Sequence, residues 1–410
     1  GGAVNSAAFS PDGQRVVTAS GDGGSNKGEA RVFEAATGKE LARVEHGDAV
    51  LSAAFSPDGQ RVVTASRDRT ARVFEAATGR ELARVEHGDA VWAAAFSPDG
   101  QRVVTRSGDH NKPGTARVFE AENGRELARV EHGGEVNSAA FSPDGQRVVT
   151  ASDDKTARVF EAATGKELAR VAHGGSVNSA AFSPDGQRVV TTSGDKTARV
   201  FEAATGRELA RVAHGGAVNS AAFSPDGQRV VTRSGDFRKP GTARVFEAAT
   251  GRELARVEQG GDVNSAAFSP DGQRVVTASD DKTARVFEAA TGKELARVAH
   301  GDAVLSAAFS PDGAFIITAS ADKTMRLWRV WPTRQALVNA AVDRAPQCLT
   351  PAQRKANFLT PVPPLWCLDR KLTPYHTDVW QAWLPKQKAW LANGRLGEAP
   401  PLPGAKPKAE

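Results

Sequence analysis

The sequence predicts an all-β ring of eight four-stranded antiparallel sheets, with seven as the alternative, followed by a short helical C-terminal extension. Three observations predict it. The string AAFSPDG recurs with its phenylalanine at Phe9, Phe55, Phe96, Phe141, Phe182, Phe223, Phe268 and Phe309, at a ground spacing of 41 residues lengthened in places to 45 or 46; a fixed period of this size marks an array of supersecondary units. Each unit contains four short runs rich in Val and Ala, VNSAAFS, RVVTAS, TARVF and ELARV in the fourth unit, which read as strands a, b, c and d. The connectors SPDGQ and EAATGK place Gly where a tight hairpin turn needs positive φ.

Strands a and b are apolar on both faces and heavy in Ala, as sheets crowding toward a common axis require. Strand d alternates charge with apolar residues and should be the outer strand. The antiparallel order sends the a-to-b and c-to-d turns to one end of every sheet and the d-to-a and b-to-c loops to the other. Eight a-b-c sets accompany only seven d strands, because the chain opens on Gly1 in mid-pattern. Eight sheets closing with an incomplete last one is the favoured arrangement. In the alternative the first d strand completes the last sheet, giving seven and leaving residues 1 to about 36 to another ring upstream.

Such units resemble the WD40 β-propeller family over residues 1–331. In that family a His before strand a, a Ser or Thr on strand b, an Asp in the b-to-c loop and a Trp on strand c form a hydrogen-bonded set. The resemblance assigns these structural roles to His132, Thr150 and Asp154 in one unit and to His173, Thr191 and Asp195 in the next. The Asp position recurs as Asp22, Asp68, Asp109, Asp154, Asp195, Asp236, Asp281 and Asp322, whereas Trp is replaced by Phe except at Trp328, and Gln259 replaces His once. Phe carries no N–H, so a three-member set is expected in most units. A His/Asp/Thr set repeated around a ring is scaffolding; a catalyst needs one copy, and no solitary acid/base or metal constellation breaks the repeat. The reading is therefore not an enzyme, with no cofactor and no metal; a propeller enzyme is the remote rival.

Near-identical units make their differences informative. The SPDGQ turn is fixed in seven of eight units, whereas the residue after the Val that opens strand a varies among Asn5, Leu51, Trp92, Asn137, Asn178, Asn219, Asn264 and Leu305. Strand b carries Arg106, Thr192 or Arg233 where other units have Ala, and insertions follow Asp22, Asp109 and Asp236, two of them HNKPGT and FRKPGT. All of these fall at the d-to-a and b-to-c end. Loops tolerate length changes cheaply, but confinement of point differences to the same end predicts a binding rim for a protein or peptide. Trp92, Arg67, Arg69, Arg106, His110, Lys112, Arg233, Phe237, Arg238 and Lys239 are its candidate contacts, since aromatics and Arg dominate interface energetics.

The net charge of +5 comes from the C-terminal residues 332–410, which hold 11 Lys and Arg against 5 Asp and Glu; residues 1–331 hold 42 against 43. Nucleic-acid binding through Arg and Lys of the insertions is thus a secondary reading, and no apolar run predicts a membrane span. Two cysteines, Cys348 and Cys367, fit buried thiols in a reducing compartment and a cytoplasmic location; with His376 they fall short of a closed zinc site.

Beyond Pro332, helices are expected in PTRQALVNAAVDRA, in CLTPAQRKANFL capped by Thr350, and in HTDVWQAWLPKQKAWL, the last divided at Pro385. Its stripe of Trp380, Trp383, Leu384, Trp390 and Leu391 should cover the propeller flank or another domain. The helical extension spans 332–396, and a Pro-rich tail, 397–410, should be disordered. The segment resembles the one that follows the propeller in bacterial multidomain WD40 proteins, which implies a scaffold or sensor role in a larger signalling protein, with an upstream NTPase or effector domain as a possible partner.

Overall fold

The computed structural model describes residues 4–21, 27–108, 112–235 and 240–331, and from the C-terminal segment 348, 363, 365–369, 375, 377–393, 400 and 403. The chain divides into two compact units, Gly1–Val330 and Trp331–Glu410.

The first unit is a closed ring of eight antiparallel sheets, seven ordered a-b-c-d and the last a-b-c among the described residues. Blade 4 shows the pattern: strand a is Val136–Phe141, b Arg147–Ser152, c Thr156–Glu161 and d Glu167–Ala172. Strand a is innermost and packs on strand a of the next blade all the way round. Strand a of blade 1 touches strands a and b of blade 8. The ring thus closes by side-chain packing, with blade 1 keeping all four of its own strands. Each seam is an apolar layer; between blades 4 and 5 it comprises Val149, Ala151, Ala157 and Val159 against Val177, Ala180, Val189 and Ala203. Small side chains let the sheets approach, and each Val withdrawn from water contributes about 1.5–3 kcal/mol.

The a-to-b turns are built alike. In blade 4, Gly145 sits at φ 67° and donates to the Ser142 carbonyl at 2.8 Å, a conformation that only glycine adopts without strain. Ser142 Oγ accepts from Arg147 N at 2.9 Å, and Asp144 accepts from Gln146 N at 3.0 Å. At the opposite end, strand a carries a β-bulge in every blade. Val136 pairs with Ser152 and Ser138 with Ala151, leaving Asn137 as the extra residue, and the same shift recurs in the other seven.

In the second unit, helix α1 spans Leu365–Asp369 and α2 spans Asp378–Ala392. Helix α2 runs straight through Pro385, where division into two was expected. Pro385 is exposed, so its ring and its missing N–H face solvent at the cost of one backbone bond. Of the Trp stripe, Trp383 and Leu384 are buried within their own unit with Cys367, Leu368 and Tyr375, and Trp380 lies against this cluster. Cys348 and Cys367 are not thiols; they form a disulfide with Cα atoms 6.2 Å apart. Both sulfurs are thereby removed from any metal reading. The helices expected at 332–345 and within 349–359, His376, and nearly all of 397–410 lie outside the described residues.

Candidate functional site

The b-to-c and d-to-a loops form one rim of the ring, and what holds them is a polar network wider than a His/Thr/Asp set. His132 leaves strand d of blade 3 and enters blade 4, where Nδ1 lies 2.9 Å from Asp154 Oδ2 and Nε2 2.8 Å from Thr150 Oγ1. Asp154 also accepts from Thr156 N and Oγ1 at 2.9 and 2.5 Å, from Gly133 N at 3.2 Å and from Arg158 Nη2 at 2.5 Å. His46 repeats this with Thr64, Asp68 and Arg72, His173 with Thr191, Asp195 and Arg199, and His300 with Thr318, Asp322 and Arg326. In the last set Trp328 Nε1 donates to Thr318 at 2.9 Å, completing the four-member arrangement; elsewhere Phe lies edge-on to the imidazole, as Phe160 does to His132 at 6.4 Å.

Burial would raise the Asp154 carboxyl, but the donors from Thr156 and His132 outweigh it and hold it well below the usual carboxylate range. Burial pushes the His132 imidazole down, and Arg158 adds to this. The sequence reading missed the strand-c Arg and the second Thr. Their signal was available: Arg158 lies between Ala157 and Val159 on strand c, and a charge kept in that place in every unit implies a carboxylate within its reach.

The blades with insertions are wired differently. Ser107 pairs with Thr115 and Ser234 with Thr242, extending the b-c ladder by one pair. His87 meets Ser107 Oγ at 3.1 Å and Thr105 at 3.2 Å, and burial, then Arg117, pushes it down to about 3. The strand-c Arg117 and Arg244 turn to Glu126 and Glu253 of their own strand d. Gln259, standing where His would be, donates to Thr277 Oγ1, and its Oε1 is buried without a partner. Asp22, Asp109 and Asp236 lie outside the described residues.

The bulge decides what the rim presents. A bulged residue is re-aimed out of the pleat, and Asn5, Asn137, Asn178 and Asn264 use this to reach the next blade, donating to the carbonyls of Val50, Val177, Val218 and Val304 at 2.8–3.0 Å. Arg106 and Arg233 serve the following blades instead, donating to Val136 O at 3.2 Å and Val263 O at 2.9 Å. Burial draws Arg106 down to about 10, opposed by Glu135. Trp92 is the bulged residue of blade 3; its Nε1 donates to Gly108 O at 2.9 Å, and Arg67 of blade 2 lies over its ring at 5.6 Å. Arg67 and Arg69 are exposed, and Lys112 stands 3.8 Å from Asp89. The structure therefore brings Arg67 and Trp92 together, uses Arg106 and Arg233 as links between blades, and places Arg233 across the ring on blades 6 and 7. His110, Phe237, Arg238 and Lys239 lie outside the described residues.

A closed ring of such blades is the class of repeat scaffold whose chemistry resides in loops rather than in its core. The chain belongs to the WD40 family: the model described as "WD domain, G-beta repeat" matches residues 1–24, 38–75, 79–111, 124–161, 165–202, 207–238, 252–288 and 292–329. Among solved structures it is similar to the computationally designed Ika8 protein, with 27% identity, a TM-score of 0.68 and coverage of 80% of this chain and 96% of that one. It is also similar in fold to Sqt1 of Chaetomium thermophilum bound to the N-terminus of the ribosomal protein L10, with 19% identity, a TM-score of 0.72 and coverage of 80% and 97%. Sqt1 alone gives 18% identity and a TM-score of 0.73 over 82% of this chain and 97% of that one. No curated protein matches the sequence.

Proposed function

We propose that the ring is a non-catalytic scaffold or sensor that binds a protein or peptide on the rim of d-to-a and b-to-c loops, within a larger bacterial signalling protein. The observation that carries this reading is the bulge: eight re-aimed positions surround the axis at one end, occupied by Asn, Leu or Trp, and the Asn and Trp side chains at five of them bond backbone carbonyls. A rigid frame with variable display is what selective recognition at low entropic cost requires. The pair Arg67–Trp92 is the strongest anchor, an aromatic ring with a cation stacked on it. The peptide-bound state of Sqt1 supports a peptide-sized partner, and the bacterial signalling setting rests on the resemblance of the C-terminal segment.

The test is affinity capture with the ring against its parent cell's lysate, comparing the native protein with Arg67→Ala/Trp92→Ala and with a turn-face control, Asp144→Ala. Partners should be lost by at least ~10-fold in the rim variant and retained in the control; equal capture by both overturns the reading. A cytoplasmic site of action meets the Cys348–Cys367 bridge, because in a reducing compartment both would be thiols. Alkylation before cell lysis decides it: modified cysteines place the protein in the cytoplasm, and protected ones exclude that.

A further inference from the structure

Seven of the eight seams carry the same device on the turn face, and the eighth lacks it. The first residue of strand b is Arg in blades 1 to 7, and its guanidinium lies over the strand-a Phe of the next blade: Arg15 over Phe55, Arg147 over Phe182 at 5.3 Å, and so on to Arg274 over Phe309 at 5.1 Å. In blades 4, 5 and 7 it also donates to the glycine carbonyl of the neighbouring turn, Arg147 to Gly186 O, Arg188 to Gly227 O and Arg274 to Gly313 O, each at 2.9 Å. The Asp three residues earlier pairs with it, as Asp144 does with Arg147 at 3.6 Å.

In blade 8 this residue is Phe315. Phe9 and Gly13 of blade 1 therefore receive no guanidinium from the preceding blade, and Asp312 has no arginine three residues on. The consequence is visible in burial: the equivalent turn glycines from Gly59 to Gly313 are buried, and Gly13 alone is half-exposed. A cavity of about 1050 Å3 opens at this seam, with Phe9, Phe315, Leu41 and Leu327 as its apolar walls. Asp12, Glu34 and Asp312 line it against one arginine, Arg15, which lies over Phe55. Arg329 lies over Phe315 at 5.8 Å and acts on the Asp312 carboxylate.

We propose that the seam between blades 8 and 1 is a socket for an arginine supplied by a partner: a peptide whose guanidinium stacks on Phe9 and bonds the Gly13 carbonyl, with apolar neighbours against Phe315, Leu327 and Leu41. The aromatic face and the carboxylate bind arginine in cis at the other seven seams, and the carbonyl joins them in blades 4, 5 and 7. Asp12, Glu34 and Asp312 against Arg15 and the neighbouring Arg329 leave the lining net negative and supply the charge complementarity, and the volume exceeds one side chain, so a short segment rather than a free guanidinium is the fitting ligand. The socket lies on the opposite face from the rim and stands independently of the rim reading.

The probe is the peptide acetyl-Gly-Leu-Arg-Leu-Gly-amide, titrated into the full chain by calorimetry, with its citrulline analogue as the uncharged control. One peptide should bind per ring, at least ~10-fold more tightly than the analogue. Phe315→Arg, which restores the cis arginine, should abolish binding while the fold persists, and Trp92→Ala should leave it unchanged. Absence of saturable binding, equal affinity for the citrulline peptide, or undiminished binding to Phe315→Arg each overturns the proposal.

Discussion

The two ends of the ring are made from the same strands and differ in how their polar groups are satisfied. At the turn end each blade completes itself: Ser142, Asp144 and Gly145 bond within six residues of one another and Ala162 N of the same blade donates to Gln146 O, so the turn's polar bonds stay within its own blade except for one arginine at the seam. At the rim end the bonds cross between elements. His132 comes from one blade and its ring bonds in the next, and Asn178 reaches from blade 5 to Val218 of blade 6. The lesson is that local closure favours identical copies, whereas a rim wired across blades allows one blade to differ when the neighbouring groups are re-paired, as Arg106 re-pairs Val136 O in place of an Asn.

The comparison breaks first at the carboxylates. Asp154→Ala leaves His132, Thr156 and Arg158 without their shared acceptor in a nearly buried site and should cost about 3 kcal/mol. Asp144→Ala at the exposed turn should cost under about 1 kcal/mol. Urea denaturation of the two variants measures both, and similar losses would show that the ends are not energetically distinct.

Acid should act through the rim. An unfolded imidazole takes up its proton near the ordinary value of 6.5, whereas folded His87 does so only at about 3. Between these values the unfolded chain holds more protons, so stability falls as pH falls through that window. His87 alone should cost about 2–3 kcal/mol between pH 7 and pH 4. Asp154 acts lower: its depressed carboxyl stabilises the fold above the unfolded value near 3.8, and that contribution is lost on further acidification. His87→Gln, the residue natural at position 259, should flatten the upper part of a stability profile measured against pH; an unchanged slope would remove His87 as the cause.

The smallest effect belongs to a single link. Asn178→Ala removes one bond between blades 5 and 6 and should cost about 1 kcal/mol, read as a lower urea midpoint with an unaltered transition slope. A fall in slope would mean that the blades separate one by one rather than together.

Much of this was legible in the letters. The period, the four runs and the glycines of SPDGQ dictate hairpins of known direction, and direction alone assigns each difference to an end, most of them to the rim and Phe315 to the turn face. The bulge was not legible, because Asn137 in VNSAAF reads as an ordinary strand residue until the pairing of Val136 and Ser138 is known. The links made by Arg106 and Arg233 were hidden for the same reason: a guanidinium on a strand end reads as a surface charge until the neighbouring blade's carbonyl is in place. Cys348 and Cys367, 19 residues apart, carry no sign of pairing in their spacing. Pro385 ran against a local rule that fails when the ring faces solvent.

No described strand crosses from blade 8 to blade 1, and that has a mechanical consequence. Seven joints of the ring are tied by the backbone that runs through them, while among the described residues the last is held by the packing of strands against each other. Tension applied between blade 1 and blade 8 is borne there first, as in a split washer, and the ring would gape at that joint while every sheet remained intact.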